Sequence, residues 1–497
     1  MPPREQLLLP VLAAALVATV AAGAHLRADA PRRRAPETRP LPARPEPVDH
    51  AAFLVGPFAD GPAVTRACLE CHPRAAEEVM RTGHWTWAGQ EALVPGQPAP
   101  LAVGKRNLLN NFCIAVAGNW PRCTSCHAGY GWRDEGFLAS AGPERVDCLV
   151  CHDRSGQYLK APAGAGEPAP EVDLLASARS VGRPTRSNCG ACHFAGGGGD
   201  AVKHGDLDGT MHQPPARIDV HMGAHDLACV DCHRTHEHRI GGRLLPIEPA
   251  PETRIACTDC HAAAPHDSER LNAHLAAVSC QACHIPRVAL DAATKTSWDW
   301  SQAGRDPAAV AAEDPAVAAD PHLYSQAKGR FTFARGLVPS YAWYDGASER
   351  YLPGQEVRLE GTVALTAPRG GVDDARARIW PFKVHRGRQP VDLQRRTLLY
   401  VKTWGPGGYW TTFDWEGALR LGAEASGLPY SGQHGWVETS MHWPLNHMVQ
   451  AAGGALQCVD CHGPEGRLDW RALGYPGDPA THGGRRRLGL VREGRAR

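Results

Sequence analysis

One short motif, repeated along the chain, limits what this sequence can fold into. Cys-x-x-Cys-His occurs eight times in 497 residues. Two thiols three positions apart can bond covalently to one porphyrin, and the adjacent histidine is then placed to bind its iron. The repeats therefore predict eight c-type haems. In chain order the motif residues are Cys68, Cys71 and His72; Cys123, Cys126 and His127; Cys148, Cys151 and His152; Cys189, Cys192 and His193; Cys229, Cys232 and His233; Cys257, Cys260 and His261; Cys280, Cys283 and His284; and Cys458, Cys461 and His462.

Two other uses of paired cysteines explain the pattern less well. Zinc sites also employ C-x-x-C pairs, but they need no histidine directly after the second cysteine. All eight pairs have one. A disulfide inside each pair would be a redox motif repeated eightfold without a reason. Haem attachment is the interpretation that accounts for the histidines.

The composition predicts short elements wrapped around these groups. Gly and Pro contribute 53 and 42 residues, which disfavours long uninterrupted helices or sheets. Four motifs fall between Cys189 and His284, too densely for apolar side chains to supply a core. The predicted fold is mainly α with much irregular loop. It is a multihaem cytochrome c fold organised around eight covalently bound haems, with minor short β-strands.

The order of segments predicts an exported protein. Residues 1–30, with Arg4, an apolar run and a small-x-small site, read as a signal peptide or N-terminal anchor. Residues 31–60 form a Pro/Arg-rich tether. Residues 61–290 are predicted as a haem-dense domain holding seven motifs and the active site. Residues 291–450 would form a haem-free covering segment rich in aromatic residues and glycine, and 451–497 the eighth motif with a basic tail.

Export places the chain in the periplasm, with anchorage to the inner membrane as an alternative. The net charge of +1 gives no case for nucleic acid as a partner. Export also explains why so many cysteines are tolerated, although they are not spaced like a disulfide scaffold.

Each six-coordinate haem needs a second axial ligand, which in multihaem electron carriers is usually another histidine. Seventeen of the 25 histidines lie outside the motifs, and three of these, His25, His50 and His482, fall in predicted tails. Position relative to the motifs selects seven distal ligands, with His236 as a rival to His238. The seven are His84, His204, His221, His238, His266, His274 and His447.

Cys113 is the one cysteine that belongs to no motif, and it stands ten residues before the second motif. If the other sixteen cysteines are thioether-linked, Cys113 has no partner for an intramolecular disulfide. It is then either an inert buried thiol or a functional one.

Three further blocks resemble a known family. NNFCI at 110–114, DAVKHGDLD at 200–208, and PLNHMV followed by LQCVDCH within 444–462 accompany the eight motifs and the long gap before the last of them. In these features the sequence resembles the octahaem tetrathionate reductase family. These are periplasmic c-type cytochromes related to hydroxylamine oxidoreductases and multihaem nitrite reductases. The resemblance covers roughly residues 60–475.

The resemblance implies an active haem at the second motif whose distal ligand is Lys203, in a pocket completed by Asn110, Cys113 and Asp200. A lysine can bind iron only when deprotonated, so its pKa there must be lowered. A thiol in an electropositive pocket is partly thiolate and hence nucleophilic. The alternative is that Lys203 is a surface charge and that His204 or His212 binds this iron.

The implied function is reduction of tetrathionate to thiosulfate, with nitrite and hydroxylamine as competing substrates. The partners would be a small anionic substrate and an electron donor, either a cytochrome or a quinol-oxidising membrane protein. Two other functions stay open. The first is a periplasmic electron conduit without substrate turnover, in which every haem has two histidines and Cys113 is inert. The second is hydroxylamine oxidation.

Overall fold

The computed structural model describes residues 46, 48–242, 247 and 254–491. The predicted signal peptide or anchor and most of the tether lie outside these residues. The chain divides into two units, one of which contains Cys257–Ala273 and the other the remaining described residues. Within the described residues, no helix has both the length and the apolar character needed to cross a membrane.

The helices are short, as the Gly and Pro content predicts. In chain order they are α1 (Gly61–Cys71), α2 (Ala75–Met80), α3 (Gly83–Thr86), α4 (Trp120–Cys123), α5 (Phe137–Ser140), α6 (Leu149–His152), α7 (Leu174–Arg179), α8 (Arg186–His193), α9 (Cys229–Cys232), α10 (Glu269–His274), α11 (Cys280–His284), α12 (Pro307–Glu313), α13 (Pro315–Ala319), α14 (Tyr409–Thr412), α15 (Trp415–Ser426), α16 (Cys458–Cys461) and α17 (Pro479–His482).

Local capping explains where several of these helices begin. Asp60 accepts the amide of Ala63 at the start of α1. At α8, Thr185 and Asn188 satisfy each other's backbone amides in a capping box. These contacts satisfy donors that the first helical turn leaves without partners. A few polar side chains therefore fix where two of the haem-attachment helices begin.

Every motif lies on a helical turn. Seven end or occupy an α-helix, and the sixth forms the 3₁₀ turn Cys257–Asp259. Because residues three apart on a helix share a face, the two thiols of each pair project from the same side, as attachment to one porphyrin requires. In the smaller unit, Asn272 Nδ2 donates to the His266 carbonyl over 2.7 Å, which closes the loop after this turn.

The strands are concentrated between residues 294 and 444. Small antiparallel pairs join β1 (Glu91–Ala92) to β2 (Leu101–Ala102) and β3 (Thr235–His236) to β4 (Arg239–Ile240). The remaining strands form one eight-stranded sheet in the order β6-β7-β5-β11-β12-β10-β9, with β8 also paired to β11. Its members are β5 (Thr294–Asp299), β6 (Tyr324–Ser325), β7 (Gly329–Ala334), β8 (Ser340–Tyr344), β9 (Ser348–Arg350), β10 (Thr362–Pro368), β11 (Arg378–Asp392) and β12 (His434–Pro444).

Strand β11 is the centre of this sheet. It pairs antiparallel with β12 from Phe382↔Pro444 to Asp392↔His434 and parallel with β5. The fold class predicted from the sequence is confirmed, although β11 spans 15 residues and is longer than a short strand.

The largest apolar cluster lies at the sheet, and part of the haem-dense stretch has no apolar filling of its own. The largest buried cluster gathers aromatic side chains such as Trp298, Trp300 and Tyr409 against β5 and β11. Between residues 219 and 281, by contrast, the described chain contributes no buried hydrophobic side chain to the core. A stretch without apolar filling of its own must pack against something else, and covalently attached porphyrins meet that need.

Candidate functional site

Pairs of histidine rings face each other at five of the eight motifs. Two imidazoles that bind opposite faces of one metal, with bonds of about 2 Å each, place their ring centres roughly 6 Å apart. The observed centroid distances are 6.1 to 6.5 Å. The pairs are His72 with His50, His152 with His238, His193 with His84, His233 with His447, and His462 with His274. The residues present therefore fit haem iron held between two histidines.

Four of the seven predicted distal histidines stand in such pairs, namely His84, His238, His274 and His447. For His238 the geometry also decides between neighbours, since its rival His236 lies exposed on β3. His221 lies in the helical turn Val220–Ala224, and the Nδ1 atom of His266 lies 3.2 Å from Asn272 Oδ1. Iron ligation by these residues stays a prediction.

The sequence analysis missed His50. Its ring centre lies 6.5 Å from that of His72, so the residue assigned to a tail is the one placed opposite the first motif. His204 was selected instead, and its ring packs against Trp443 at 5.2 Å. The structure therefore favours His50 over His204 as the seventh distal histidine. Nothing in the composition around residue 50 distinguishes it from the preceding tether.

Cysteines of different motifs affect one another's pKa, which shows that their attachment sites are neighbours. The pairs are Cys68 with Cys148, Cys126 with Cys192, and Cys189 with Cys229. Cys192 Sγ also lies 3.7 Å from the Cys126 carbonyl oxygen, and Arg186 on α8 donates to the Leu227 carbonyl over 2.9 Å, so the fourth motif adjoins both the second and the fifth. The neighbours of the second motif in space are not those in sequence.

At the second motif, His127 lies in an aromatic box. Trp85, Trp132 and Phe137 surround its ring at centroid distances of 4.6 to 5.7 Å. Burial lowers the pKa of His127 to about 3, so the ring is neutral. Its Nδ1 atom is buried without a hydrogen-bond partner in the described part of the chain, whereas its Nε2 atom lies 2.7 Å from the Trp85 carbonyl oxygen. Binding of haem iron through Nε2 would require the metal to replace this contact with Trp85.

Asn110 shapes the turn that presents Cys113. Its Oδ1 atom accepts the amides of Phe112 at 3.2 Å and Cys113 at 2.7 Å. Its own amide donates to the Ile114 carbonyl over 2.8 Å. Ile114 is fully buried with φ +80°, a conformation that β-branched residues rarely adopt. Asn110 thus positions the thiol through its carbonyl oxygen, which is no longer free to orient a substrate.

The sheet holds this turn in place. Gln389 on β11 donates to the Asn110 carbonyl over 2.9 Å, and Thr439 on β12 donates to Gln389 Oε1 over 2.8 Å. Asn111 donates to the His385 carbonyl over 2.8 Å. The haem-free segment therefore does more than cover the haem-dense one, because its longest strands support the Cys113 turn.

A cavity of about 260 Å³ opens beside Cys113. Its lining residues are Cys113, Arg122, Gly198, Lys295, Trp298, Pro321, His322, Tyr324, Ser325, Lys328, Phe331 and Trp410. The strand residues come from β5, β6 and β7, and Arg122 comes from α4. The cavity thus lies between the sheet and the attachment helix of the second motif.

Positive charge dominates the cavity. Lys295 Nζ lies 3.7 Å from the Phe331 ring centre, and Arg122 and Lys328 lie 5.1 and 5.3 Å from that of Trp410. Burial lowers the pKa of Lys295 to about 7, and Lys328 lowers it further. Burial and Arg122 likewise lower the pKa of Lys328. Cations that repel one another in a confined space favour a bound anion.

Cys113 is the nucleophilic group in the cavity. A hydrogen bond with Cys123 lowers its pKa most, burial opposes this, and Lys328 and Arg122 lower it further, to about 7. Thioether formation at Cys123 would remove the first contribution and leave burial, which raises the pKa, opposed by the cations, which lower it. The cations are therefore the part of these surroundings that favours the thiolate in the holoprotein.

Lys203 is not a surface charge. Burial lowers its pKa to about 7, and Lys105 lowers it further. Its Nζ lies 4.9 Å from the Trp443 ring centre. The glycine run before it packs against the Cys113 turn, since a Cβ on Gly197 would lie 2.5 Å from the Phe112 ring. An amine whose pKa falls near neutrality can bind a metal.

The backbone of Lys203 is clamped from the sheet. Lys383, fully buried on β11, donates from Nζ to the Val202 carbonyl over 2.8 Å and to the Lys203 carbonyl over 3.3 Å. The same Nζ donates to Thr294 Oγ1 over 2.6 Å, and Thr294 donates to the Ala201 carbonyl over 2.8 Å.

Asp200 does not line the cavity, and neither do Asn110 and Lys203, so Cys113 is the one of the four predicted pocket residues in its lining. The Asp200 Oδ1 atom accepts the Gly209 amide over 2.8 Å. The assembly of the four residues in one pocket stays a prediction. His212, the alternative ligand, packs its ring against Phe194 at 4.8 Å.

The sequence analysis missed the three cations of the cavity. Arg122 could have been noticed because it directly precedes Cys123. Lys295 and Lys328 stand alone among polar and aromatic residues more than 165 positions after the second motif begins. No local pattern marks them, because only the pairing of β5 with β7 brings their segments together.

Comparison with known proteins agrees with this architecture. Residues 295–465 match the family described as bacterial cytochrome c. No curated protein matches the chain. The crystal structure of an octahaem cytochrome c from Shewanella oneidensis superposes with a TM-score of 0.80 at 44% sequence identity, covering 87% of this chain and 98% of that one. The cofactors of the present chain are covalently bound c-type haems. The chain belongs to the octahaem cytochrome c family, that of the octahaem tetrathionate reductases.

Proposed function

We propose that the protein is a periplasmic octahaem reductase that reduces a small sulfur or nitrogen oxyanion beside Cys113, with tetrathionate as the favoured substrate. Its reducing equivalents would come from a donor cytochrome or a quinol-oxidising membrane protein. Nitrite and hydroxylamine are the competing substrates.

The observation that carries this proposal is the cavity that combines Cys113 with Arg122, Lys295 and Lys328. Cations select for an anion, and the aromatic walls suit the polarisable sulfur chain of tetrathionate. Nitrite would need only a cation and a proton source. Tetrathionate gains more from this site, because thiol exchange divides its reduction into two easier steps.

The thiolate step balances without any further reactant. Cys113 attacks an inner sulfur of tetrathionate, a sulfur–sulfur bond breaks, and one thiosulfate leaves with the electron pair of that bond. Cys113 then carries a thiosulfonate attached through sulfur. Two electrons release the second thiosulfate and restore the thiolate, and the haems supply such electrons one at a time.

The other residues of the site prepare this chemistry. Arg122, Lys295 and Lys328 hold the two terminal sulfonate groups and stabilise the thiolate, while Asn110 aims it through the Cys113 amide. Lys203 would hold the iron of the second motif as the neutral amine, because burial lowers its pKa to about 7. In its protonated form it would be a further cation beside the second motif.

Replacement of Cys113 by Ser tests the proposal. With a reduced viologen as donor, Cys113→Ser should lower tetrathionate turnover at least tenfold, affect nitrite and hydroxylamine turnover less, and leave eight haems attached. Lys328→Gln should raise KM for tetrathionate, whereas Lys402→Gln, a lysine outside the cavity, should not. Equal tetrathionate turnover by wild type and Cys113→Ser would eliminate sulfur chemistry at this thiol.

The same assay separates the enzyme from a pure electron conduit. A conduit has two histidines at every haem and turns over none of the three substrates. Spectroscopy that finds one haem different from the other seven, and altered by Lys203→Ala, would support the enzyme.

A further inference from the structure

Three of the paired histidines contact a carboxylate through Nδ1, which leaves Nε2 for a metal. His447 Nδ1 lies 3.1 Å from Asp206, His238 Nδ1 2.8 Å from Glu78, and His462 Nδ1 2.6 Å from Asp478. These histidines belong to the ring pairs of the fifth, third and eighth motifs. In each case one carboxylate oxygen can accept the Nδ1 proton.

Asp206 is the most buried of the three carboxylates. Its Oδ2 atom also accepts the amides of Asn446 at 2.7 Å and His447 at 2.9 Å. A buried anion is thus held against the ring of His447.

The ring pair of the fourth motif differs from these three. Among the described residues, His193 and His84 face each other at 6.1 Å, and neither ring makes an ion pair with a carboxylate.

These differences act on reduction potential in a known direction. A carboxylate that accepts from Nδ1 gives the imidazole anionic character and stabilises the more positive, oxidised metal, which lowers the potential. A backbone carbonyl in that position does the same more weakly, as at His152 and His233, whose Nδ1 atoms lie 2.9 Å from carbonyl oxygens. A nearby cation raises the potential.

Contacts between the motif segments place the fourth attachment site between the fifth and the second. Arg186, on the helix of the fourth motif, donates to the carbonyl of Leu227 just before the fifth motif, and Cys192 Sγ lies 3.7 Å from the Cys126 carbonyl oxygen of the second. The fourth attachment site thus lies between one whose histidine contacts Asp206 and the site beside Cys113.

We propose that Asp206, Glu78 and Asp478 hold the haems of the fifth, third and eighth motifs at lower reduction potentials than the haem of the fourth. A difference of this sign directs electrons toward the second motif, so these carboxylates suit the chain to reduction. The inferred direction of electron flow rests on the proposed function, whereas the difference in reduction potentials does not.

Potentiometric titration of the holoprotein, followed by spectroscopy that resolves individual haems, tests the proposal. Asp478→Asn should raise the potential of one haem by at least a tenfold change in its equilibrium constant, about 59 mV. That haem should stay low-spin. Asp206→Asn and Glu78→Gln should each raise the potential of a different haem.

Asp345→Asn is the matched control, because Asp345 is as buried as Asp206 but pairs with Arg369 and contacts no histidine ring. It should leave all potentials unchanged. Asp478 is partly exposed, so its variant remains informative if Asp206→Asn fails to fold. Unchanged or lowered potentials in Asp478→Asn, or a fourth-motif haem below the others, would overturn the proposal. Tetrathionate turnover, measured separately, reports on the proposed function.

Discussion

Asn110 holds Cys113 by the backbone: the Cys113 amide donates to Asn110 Oδ1 over 2.7 Å, within a turn that the Asn110 amide closes onto Ile114. The thiol is therefore aimed by a side chain three residues earlier. The positive φ of Ile114 shows that the surrounding contacts hold the turn in a backbone conformation that isoleucine disfavours. The geometry of the thiol should thus depend on Asn110 more than on the packing of Cys113 itself.

Asn110→Ala should remove two acceptor contacts and lower the free energy of unfolding by about 1–3 kcal/mol. Tetrathionate turnover should fall at least tenfold, because the thiol loses its direction. Asn107→Ala is the control, since Asn107 makes comparable contacts with Gly104 and Ala102 but none with Cys113. Denaturant unfolding should show similar losses in both variants. Equal turnover in the two would mean that Asn110 acts on stability alone.

The holoprotein should present one free thiol per chain. Of 17 cysteines, sixteen lie in motifs, so only Cys113 remains for alkylation once the haems are attached. Titration with a thiol reagent under denaturing conditions, combined with a pyridine haemochrome assay, should give one thiol and eight haems. The Cys113→Ser variant should give no free thiol and eight haems. Any larger thiol count would show that a motif lacks its haem.

The cations of the cavity should make Cys113 react faster with negative reagents. Iodoacetate should modify the native protein faster than neutral iodoacetamide, with a rate that rises with pH as the thiol ionises, and the neighbouring cations lower the pKa of that thiol. Lys328→Gln should raise that pKa and at least halve the preference for iodoacetate. Lys402→Gln should change neither. A preference that survives removal of Lys328, Lys295 and Arg122 together would contradict the assigned role of the charges.

The motif histidines could be recognised from sequence, and their partners only in part. A covalent motif fixes its residues locally, so eight attachment sites and the fold class follow from spacing alone. Distal ligands arrive from elsewhere in the chain, and proximity to a motif is a weak guide to them. His84 meets His193 across 109 positions, and His447 meets His233 across 214. His50 was missed because its surroundings in sequence are those of a tether.

The cavity was beyond sequence reasoning for a different reason. Cys113 stands out because it is unpaired, but Lys295 and Lys328 acquire their meaning only when β5 and β7 pair and bring both to α4. Asn110 was expected as a member of the substrate pocket, and its contacts show that it shapes the turn that presents Cys113. The sequence can thus indicate some of the residues of a site, whereas the role of each side chain depends on the residues it contacts.

His50 and His204 offer a direct comparison. His50→Ala should convert one low-spin haem to high-spin, because its ring stands 6.5 Å from that of His72. His204→Ala should leave the number of low-spin haems unchanged, because its ring faces Trp443. Electron paramagnetic resonance of the oxidised protein measures both. A high-spin signal in His204→Ala, absent from His50→Ala, would restore the assignment made from sequence.

Lys383 should leave a signature in the pH dependence of stability. Burial lowers its pKa from 10.5 to about 7 in the folded chain. Above pH 7 the unfolded chain therefore binds more protons at this residue than the folded one. Burying the cation lowers the free energy of unfolding; this loss is complete below pH 7 and becomes smaller as the pH rises. The expected slope is an increase in unfolding free energy of up to about 1.4 kcal/mol per pH unit.

Lys383→Met should flatten the stability curve by that amount between pH 7.5 and 9, as measured by denaturant unfolding, while Lys402→Met should not. The variant also loses the hydrogen bonds that fix the Val202 and Lys203 carbonyls. Lys203 should then release more readily, so cyanide should bind the second-motif haem faster than in wild type. Unchanged cyanide binding with a flattened slope would show that Lys383 serves the fold but not the ligand loop. An unchanged slope would mean that Lys383 keeps an ordinary pKa despite its burial.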